Sequence, residues 1–344
     1  MLKNVFTNFP AKKSISSEQT MKKSLLATVL ALALGVICSP AHAEFPDRPV
    51  TLVVPFSAGG ATDLDARAFA EVAGKYLGQP VTVNNHPGNS GTFGSQFVSM
   101  SAPDGYTILI GRPGPQGVAT SCFAERTPYT LDSFTFLGMI DTSPCVLMLR
   151  PDAPYRNLAQ LVADIKANPG KLKYSSSGVN SIHNFATQYM LKITNLKPES
   201  LVHVRHRGGG EALEAIKNGQ VDMMFSVFTE AAPYIKEGSL KPLLVMTRDP
   251  YPFAPEIPTA TDAGLAKYEF GTWFVLLGPA DMPQDVRDKY WDVIQKVVAD
   301  EEYQQKIAEI GCTPLLMDGA VAKEFVINQN TIYRNIGKAI GLVK

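Results

Sequence analysis

Val50-Thr51-Leu52-Val53-Val54-Pro55-Phe56-Ser57-Ala58-Gly59-Gly60-Ala61-Thr62-Asp63 is the stretch whose reading decides the fold. Its apolar, β-branched start predicts a buried strand. Residues 63–77 then carry Leu64, Ala68, Phe69, Val72 and Tyr76 on one face at helical spacing. Between strand and helix, two glycines let the backbone come close to a ligand. The N–H groups and positive dipole end of the helix suit an anion there. The plain alternative is a tight turn capped by Thr62 or Asp63. A nucleotide loop is excluded, because neither a Gly-Lys-Ser/Thr ending nor G-x-G-x-x-G is present.

The same alternation continues outward. Strands are predicted over 81–83, 107–110, 134–140 and 145–149, with a short helix over 91–100, a βαβαβ order that argues for an open, mostly parallel sheet with helices on both faces. In a second set, Asn157 caps a helix over 157–167 that Asn168-Pro169-Gly170 stops. Strands over 172–175, 201–204, 222–227 and 243–246 follow, with helices over 182–193 and 211–217. After a proline-rich connector at 251–258 come a strand over 270–277 and helices over 283–300, 303–310 and 320–340. Two α/β units predict two lobes, residues 44–146 with 267–344, and residues 147–266. Ligands of such sheets bind where strands lead into helix N-termini.

Two more connections are of that kind. Ser175-Ser176-Ser177-Gly178-Val179-Asn180-Ser181, with His183 just inside its helix, is rich in donors; its plain reading is a solvated loop with a satisfied histidine. Val204-Arg205-His206-Arg207-Gly208-Gly209-Gly210 sets a cationic pair beside flexible glycines, which suits a carboxylate or, plainly, a charged surface turn. Gly111-Arg112-Pro113-Gly114-Pro115-Gln116-Gly117 has prolines that remove N–H donors, so it reads as a loop shaping the cleft wall. Trp273 and Phe274 are core aromatics by default, or a cleft wall. Nothing supports catalysis or a metal. There is no G-x-S-x-G elbow, and His203 and His206 point to opposite faces of a strand.

Met21-Lys22-Lys23, an apolar run from 25 to 38 and Ala41-His42-Ala43 read as a cleaved secretory signal, preceded by an upstream extension. Ile37 before Cys38 speaks against a lipoprotein. The 344 residues carry 32 Lys and Arg against 32 Asp and Glu; cleavage after Ala43 removes five lysines and one glutamate and leaves 27 against 31, a net of −4. That balance excludes a strongly basic nucleic-acid binder. An exported chain permits one disulfide among Cys122, Cys145 and Cys312, with Cys122 to Cys145 the better pairing; three buried thiols fit equally well.

Phe45-Pro46-Asp47-Arg48-Pro49-Val50 and the loop through Asp63 resemble the opening of the extracytoplasmic solute receptors of tripartite tricarboxylate transporters, the Bug family. The likeness continues through Pro87-Gly88-Asn89-Ser90-Gly91, Ser101-Ala102-Pro103-Asp104-Gly105-Tyr106-Thr107, Asn168-Pro169-Gly170-Lys171-Leu172, Arg207-Gly208-Gly209-Gly210-Glu211-Ala212-Leu213 and Gly219-Gln220-Val221-Asp222-Met223-Met224-Phe225. It implies an α/β fold of the type II periplasmic binding protein class, two Rossmann-like lobes with a ligand cleft between them. It also implies a monomer in the periplasm that needs no cofactor and passes a small carboxylate to a two-subunit permease. The alternatives are a receptor for a membrane histidine kinase and an exported enzyme on the same fold.

By position, backbone N–H groups of the first two loops would hold one carboxylate, and the third loop and the strand after Asp222 would line the distal end. The candidate ligand set is Phe56, Ser57, Ala58, Gly59, Gly60, Ala61, Thr62, Asp63, Arg112, Ser176, Ser177, Gly178, Val179, Asn180, Ser181, His183, Arg205, His206, Arg207, Gly208, Ser226 and Trp273. Where the family carries Tyr-Arg-Gly, this chain has His206-Arg207-Gly208 preceded by Arg205. The expectation is that Arg205 or Arg207, with Arg112, receives a second carboxylate.

Overall fold

The computed structural model describes residues 45–265 and 270–343; the signal segment and its cleavage site lie outside the described residues. Strand β1 (Val50–Val54) pairs in parallel with β2 (Val81–Asn85) and β3 (Thr107–Gly111), with helices α1 (Ala61–Leu77) and α2 (Thr92–Ser99) in the crossovers. After β4 (Phe134–Leu149) and α3 (Leu158–Ala167), a second parallel unit sets β5 (Lys173–Ser176) beside β6 (Val202–Arg205) and β7 (Met223–Val227). Its crossovers are α4 (Ile182–Ile193) and α5 (Gly209–Lys217). Asn157 and Ser181 cap α3 and α4, each accepting a hydrogen bond from the third residue onward.

The sheet is mixed rather than mostly parallel. β9 (Gly271–Pro279) runs antiparallel to β3 and β4, and β4 runs antiparallel to β7 and to β8 (Lys241–Val245), which gives the order β2-β1-β3-β9-β4-β7-β5-β6. The two strands expected over 134–140 and 145–149 are one strand of 16 residues. Asp141, Thr142, Ser143 and Pro144 read as an interruption, yet the polar side chains find partners that keep the strand intact. Tyr303 donates to Asp141 at 2.8 Å, Thr142 donates to the Thr272 carbonyl at 2.7 Å, and Ser143 to the Gly311 carbonyl at 3.2 Å. Residues 134–144 of β4 pair with β9, whereas Cys145 to Leu149 pair with β7. One strand therefore runs from one half of the sheet into the other.

Two elements were illegible in the sequence. Helix α6 (Phe228–Glu237) contains Pro233, which reads as a breaker. Strand β10 (Thr313–Asp318) pairs with β4 through an irregular register. Helices α7 (Gln284–Ala299), α8 (Glu301–Glu309) and α9 (Gly319–Ala339) complete the fold, with Pro283 as the N-cap of α7 rather than inside its first turn. The two-residue period of β9 divides the core. Trp273, Val275 and Leu277 pack with Val326 of α9, while Phe274 and Leu276 face the main core.

Cys122, Cys145 and Cys312 are buried free thiols, so the Cys122–Cys145 pairing does not form. Cys122 Sγ lies 3.4 Å from the Tyr333 carbonyl of α9, and Cys312 Sγ 3.0 Å from the Thr229 hydroxyl of α6.

Candidate functional site

The connection from β1 to α1 brings Phe56, Gly60, Ala61 and Thr62 to a cavity of ≈ 20 Å³. Ser177, Ser181, Ile182 and His183 reach it from the β5–α4 connection, Gly209 from β6–α5, Glu230 from β7–α6, and Arg112 to Gly114 from the end of β3. The site is thus made of strand ends and helix starts, as expected, but only part of the expected set lines it. Ala58 and Gly59 are exposed, and Gly59 has φ +81, which a glycine tolerates.

Asp63 does not line the cavity, and its carboxylate holds the loop. Its carboxylate accepts from the Gly59 N–H at 2.9 Å, from Arg67 at 3.0 Å and from Asn85 at 3.0 Å. Burial raises its pKa, but these donors outweigh burial and hold it below the usual carboxylate value.

The second loop is pinned to Ser90, just before α2. Asn180 N donates to Ser90 Oγ at 3.2 Å, and a Cβ on Gly178, at φ +119, would lie 2.3 Å from the same oxygen. Ser181 caps α4 and Ser176 contacts His203 of β6 at 2.6 Å, so both hydroxyls are engaged; Val179 is exposed. His183 is 3% exposed, with Nδ1 3.0 Å from Ser177 Oγ and Nε2 3.5 Å from Glu230 Oε2. Burial pushes its pKa below the ordinary imidazole value, Glu230 opposing and Arg112 assisting.

Arg112, read as part of a wall-shaping loop, is 4% exposed. Its Nη1 donates to Thr62 Oγ1 at 2.9 Å, and its guanidinium carbon lies 4.1 Å from the Phe274 ring centroid. Trp273 points the other way, against Phe325, and does not line the cavity. Arg205 and Arg207 are exposed and His206 half-buried, and none of them lines the cavity. Gly208 does approach the first loop, since a Cβ there would lie 3.4 Å from that of Ser57.

The residue that sequence reading missed is Glu230. Hidden in the unread helix α6, it is 6% exposed and accepts from Ala61 N at 3.2 Å and from Ser226 Oγ at 3.1 Å. It thereby caps α1, whose N-cap Gly60 has no side chain to do so. Ser226 holds Glu230 by this bond and does not itself line the cavity. One sign was available: β7 leads directly into the next residues just as the other ligand-loop strands do.

Ser177, His183 and Glu230 form a hydroxyl–imidazole–carboxylate chain. In a hydrolytic triad the serine faces Nε2 and the acid faces Nδ1. Here both attachments are reversed, and no hydrogen bond joins Nε2 to the acid. Among the described residues no cluster of His, Cys, Asp and Glu fits a metal ion.

The sequence profile described as "Tripartite tricarboxylate transporter family receptor" matches residues 66–342. A UPF0065 protein of Bordetella pertussis is 35% identical over 267 residues, 77% of this chain and 81% of that protein. The solved structure of the periplasmic binding protein BugD superposes with a TM-score of 0.82 at 28% identity, covering 87% of this chain and 100% of that one. MatC of Rhodopseudomonas palustris, solved with bound malate, gives a TM-score of 0.80 at 28% identity over 85% of this chain and 99% of MatC.

Proposed function

The chain belongs to the tripartite tricarboxylate transporter receptor family, and on that premise we propose that it captures a small carboxylate between its lobes and delivers it to a two-subunit membrane permease. The observation that carries this reading is the convergence of strand-to-helix connections on one small cavity beside the buried Arg112. Helix starts and a fixed guanidinium are the donors that a carboxylate needs. The mechanism is capture by closure and release by opening, without a chemical step. A cavity of ≈ 20 Å³ has room for little more than water, so a ligand enters only when the lobes part.

The lobes in this reading are residues 44–146 with 267–344, and residues 147–266, with β4 and the segment between β8 and β9 as the crossings. The chain is read as exported, cleaved after Ala43 and monomeric. Malate in MatC supports a carboxylate as the solute class. Family membership supports a receptor rather than an enzyme.

A thermal-shift panel of mono-, di- and tricarboxylates tests the reading. A ligand at about 100 times its Kd adds about 2.7 kcal/mol to apparent stability, which moves the melting temperature measurably. At least one carboxylate is expected to do so in the wild type and not in Arg112→Ala. No response across the panel overturns the reading.

A further inference from the structure

The cavity lining contains a buried cation, Arg112, and a buried carboxylate, Glu230. Every hydrogen bond given to Glu230 comes from a donor, the Ala61 N–H and the Ser226 hydroxyl. His183 Nε2 stands 3.5 Å from Glu230 Oε2, buried and without a hydrogen-bond partner. When Nδ1–H donates to Ser177 Oγ, Nε2 is left with a lone pair. Two acceptors then face the same space, which explains why no bond joins them.

The electrostatics follow from this. His183 adds no charge, because burial favours its neutral form. Arg112 lies first in the field of Glu230 and then in those of Asp65 and Asp141, so its charge is already in part balanced. A purely anionic solute would pair with Arg112 but be enclosed beside the carboxylate of Glu230, and like charges in a dry site are costly. A solute with one negative and one positive group pairs with both fixed charges and leaves the cavity neutral.

Resting on the carboxylate-capture reading above, we infer that the captured solute is an amino carboxylate: Arg112 and the start of α1 take its carboxylate, and Glu230 with His183 Nε2 takes its ammonium group. Glu230 is then the residue that determines specificity, and the anion cradle alone is not the selective element.

Matched pairs of probes test this by calorimetry and thermal shift on the processed protein: L-aspartate against succinate, L-glutamate against glutarate, and 4-aminobutyrate against butyrate. In at least one pair the amino member is expected to bind at least about 30-fold more tightly, the scale for leaving a buried charge unpaired. Glu230→Gln should erase that preference while keeping the cavity's shape. The wild-type comparison decides the matter even if the variant folds poorly. Equal or tighter binding of the deaminated member in every responding pair overturns the amino-carboxylate inference alone. Silence of both members of every pair, together with silence of the wider carboxylate panel, overturns carboxylate capture itself and this inference with it.

Discussion

A Cβ on Gly209 would lie 1.8 Å from Oε2 of Glu230, so the first residue of α5 has no room for any side chain. The two residues belong to different connections, and the absence of a side chain on one lets the carboxylate of the other reach Ala61 N at the start of α1. Gly209→Ala forces Glu230 away from that N–H. A destabilisation of about 1–3 kcal/mol is expected. Thermal melts and ligand titration check it; an unchanged melt with unchanged affinity would show that Glu230 has another place to go.

Arg112 combines a hydrogen bond to Thr62 with a ring contact to Phe274, which a lysine ammonium cannot reproduce. Arg112→Lys is therefore expected to weaken carboxylate binding by at least about tenfold, or about 1.4 kcal/mol. Arg205→Ala and Arg207→Ala, at exposed positions outside the lining, are expected to change affinity by less than about 0.5 kcal/mol. Titration of the three variants against one ligand separates the cases, and the reverse ranking would return the distal site to the third loop.

Asp65 and Asp141 are both fully buried and close enough to interact. Burial and then the Asp141 charge push Asp65 well above the ordinary value of 3.8, and burial takes Asp141 up to about 6 despite hydrogen bonds that pull it down. A carboxyl whose pKa rises on folding binds its proton more tightly in the native state. That contribution is complete below the unfolded value and is lost as pH rises through about 6 and beyond. Asp65→Asn supplies a neutral partner at every pH. The variant's melting temperature should gain on the wild type from pH 5 to pH 8, by the equivalent of about 1–2 kcal/mol at the upper end. Parallel pH profiles would remove the pair from this account.

The three thiols are buried, and burial takes the Cys145 pKa up to about 12. A thiol that stays protonated and out of reach does not attack a disulfide reagent. The folded protein is expected to react slowly with such a reagent, all three thiols to react once it is unfolded, and the melting temperature to be indifferent to reductant. A melt that drops on reduction would reveal a disulfide.

The alternation of β-branched runs with helical periods, and the glycine-rich turns between them, were enough to place at strand ends the loops that line the cavity. Such signals are local, set by neighbours within one turn or one strand. Asn157 and Ser181 cap their helices as their neighbours dictate. The same local reading broke β4 between Asp141 and Pro144, because the groups that satisfy its polar residues, Thr272, Tyr303 and Gly311, lie 130 to 168 positions away. It also left 228–237 unassigned, where α6 forms with Pro233 inside it.

What the sequence determined by itself was the class of fold and the type of connection that lines the cavity. What only the tertiary structure decided was the chemistry inside the cavity. Arg112 faces inward because β3 delivers it against Phe274 and Thr62, while Arg205 and Arg207 stay in solvent. Glu230 caps a helix that begins 169 residues earlier. Charge pairing depends on distance in space, and no periodicity along the chain encodes that distance.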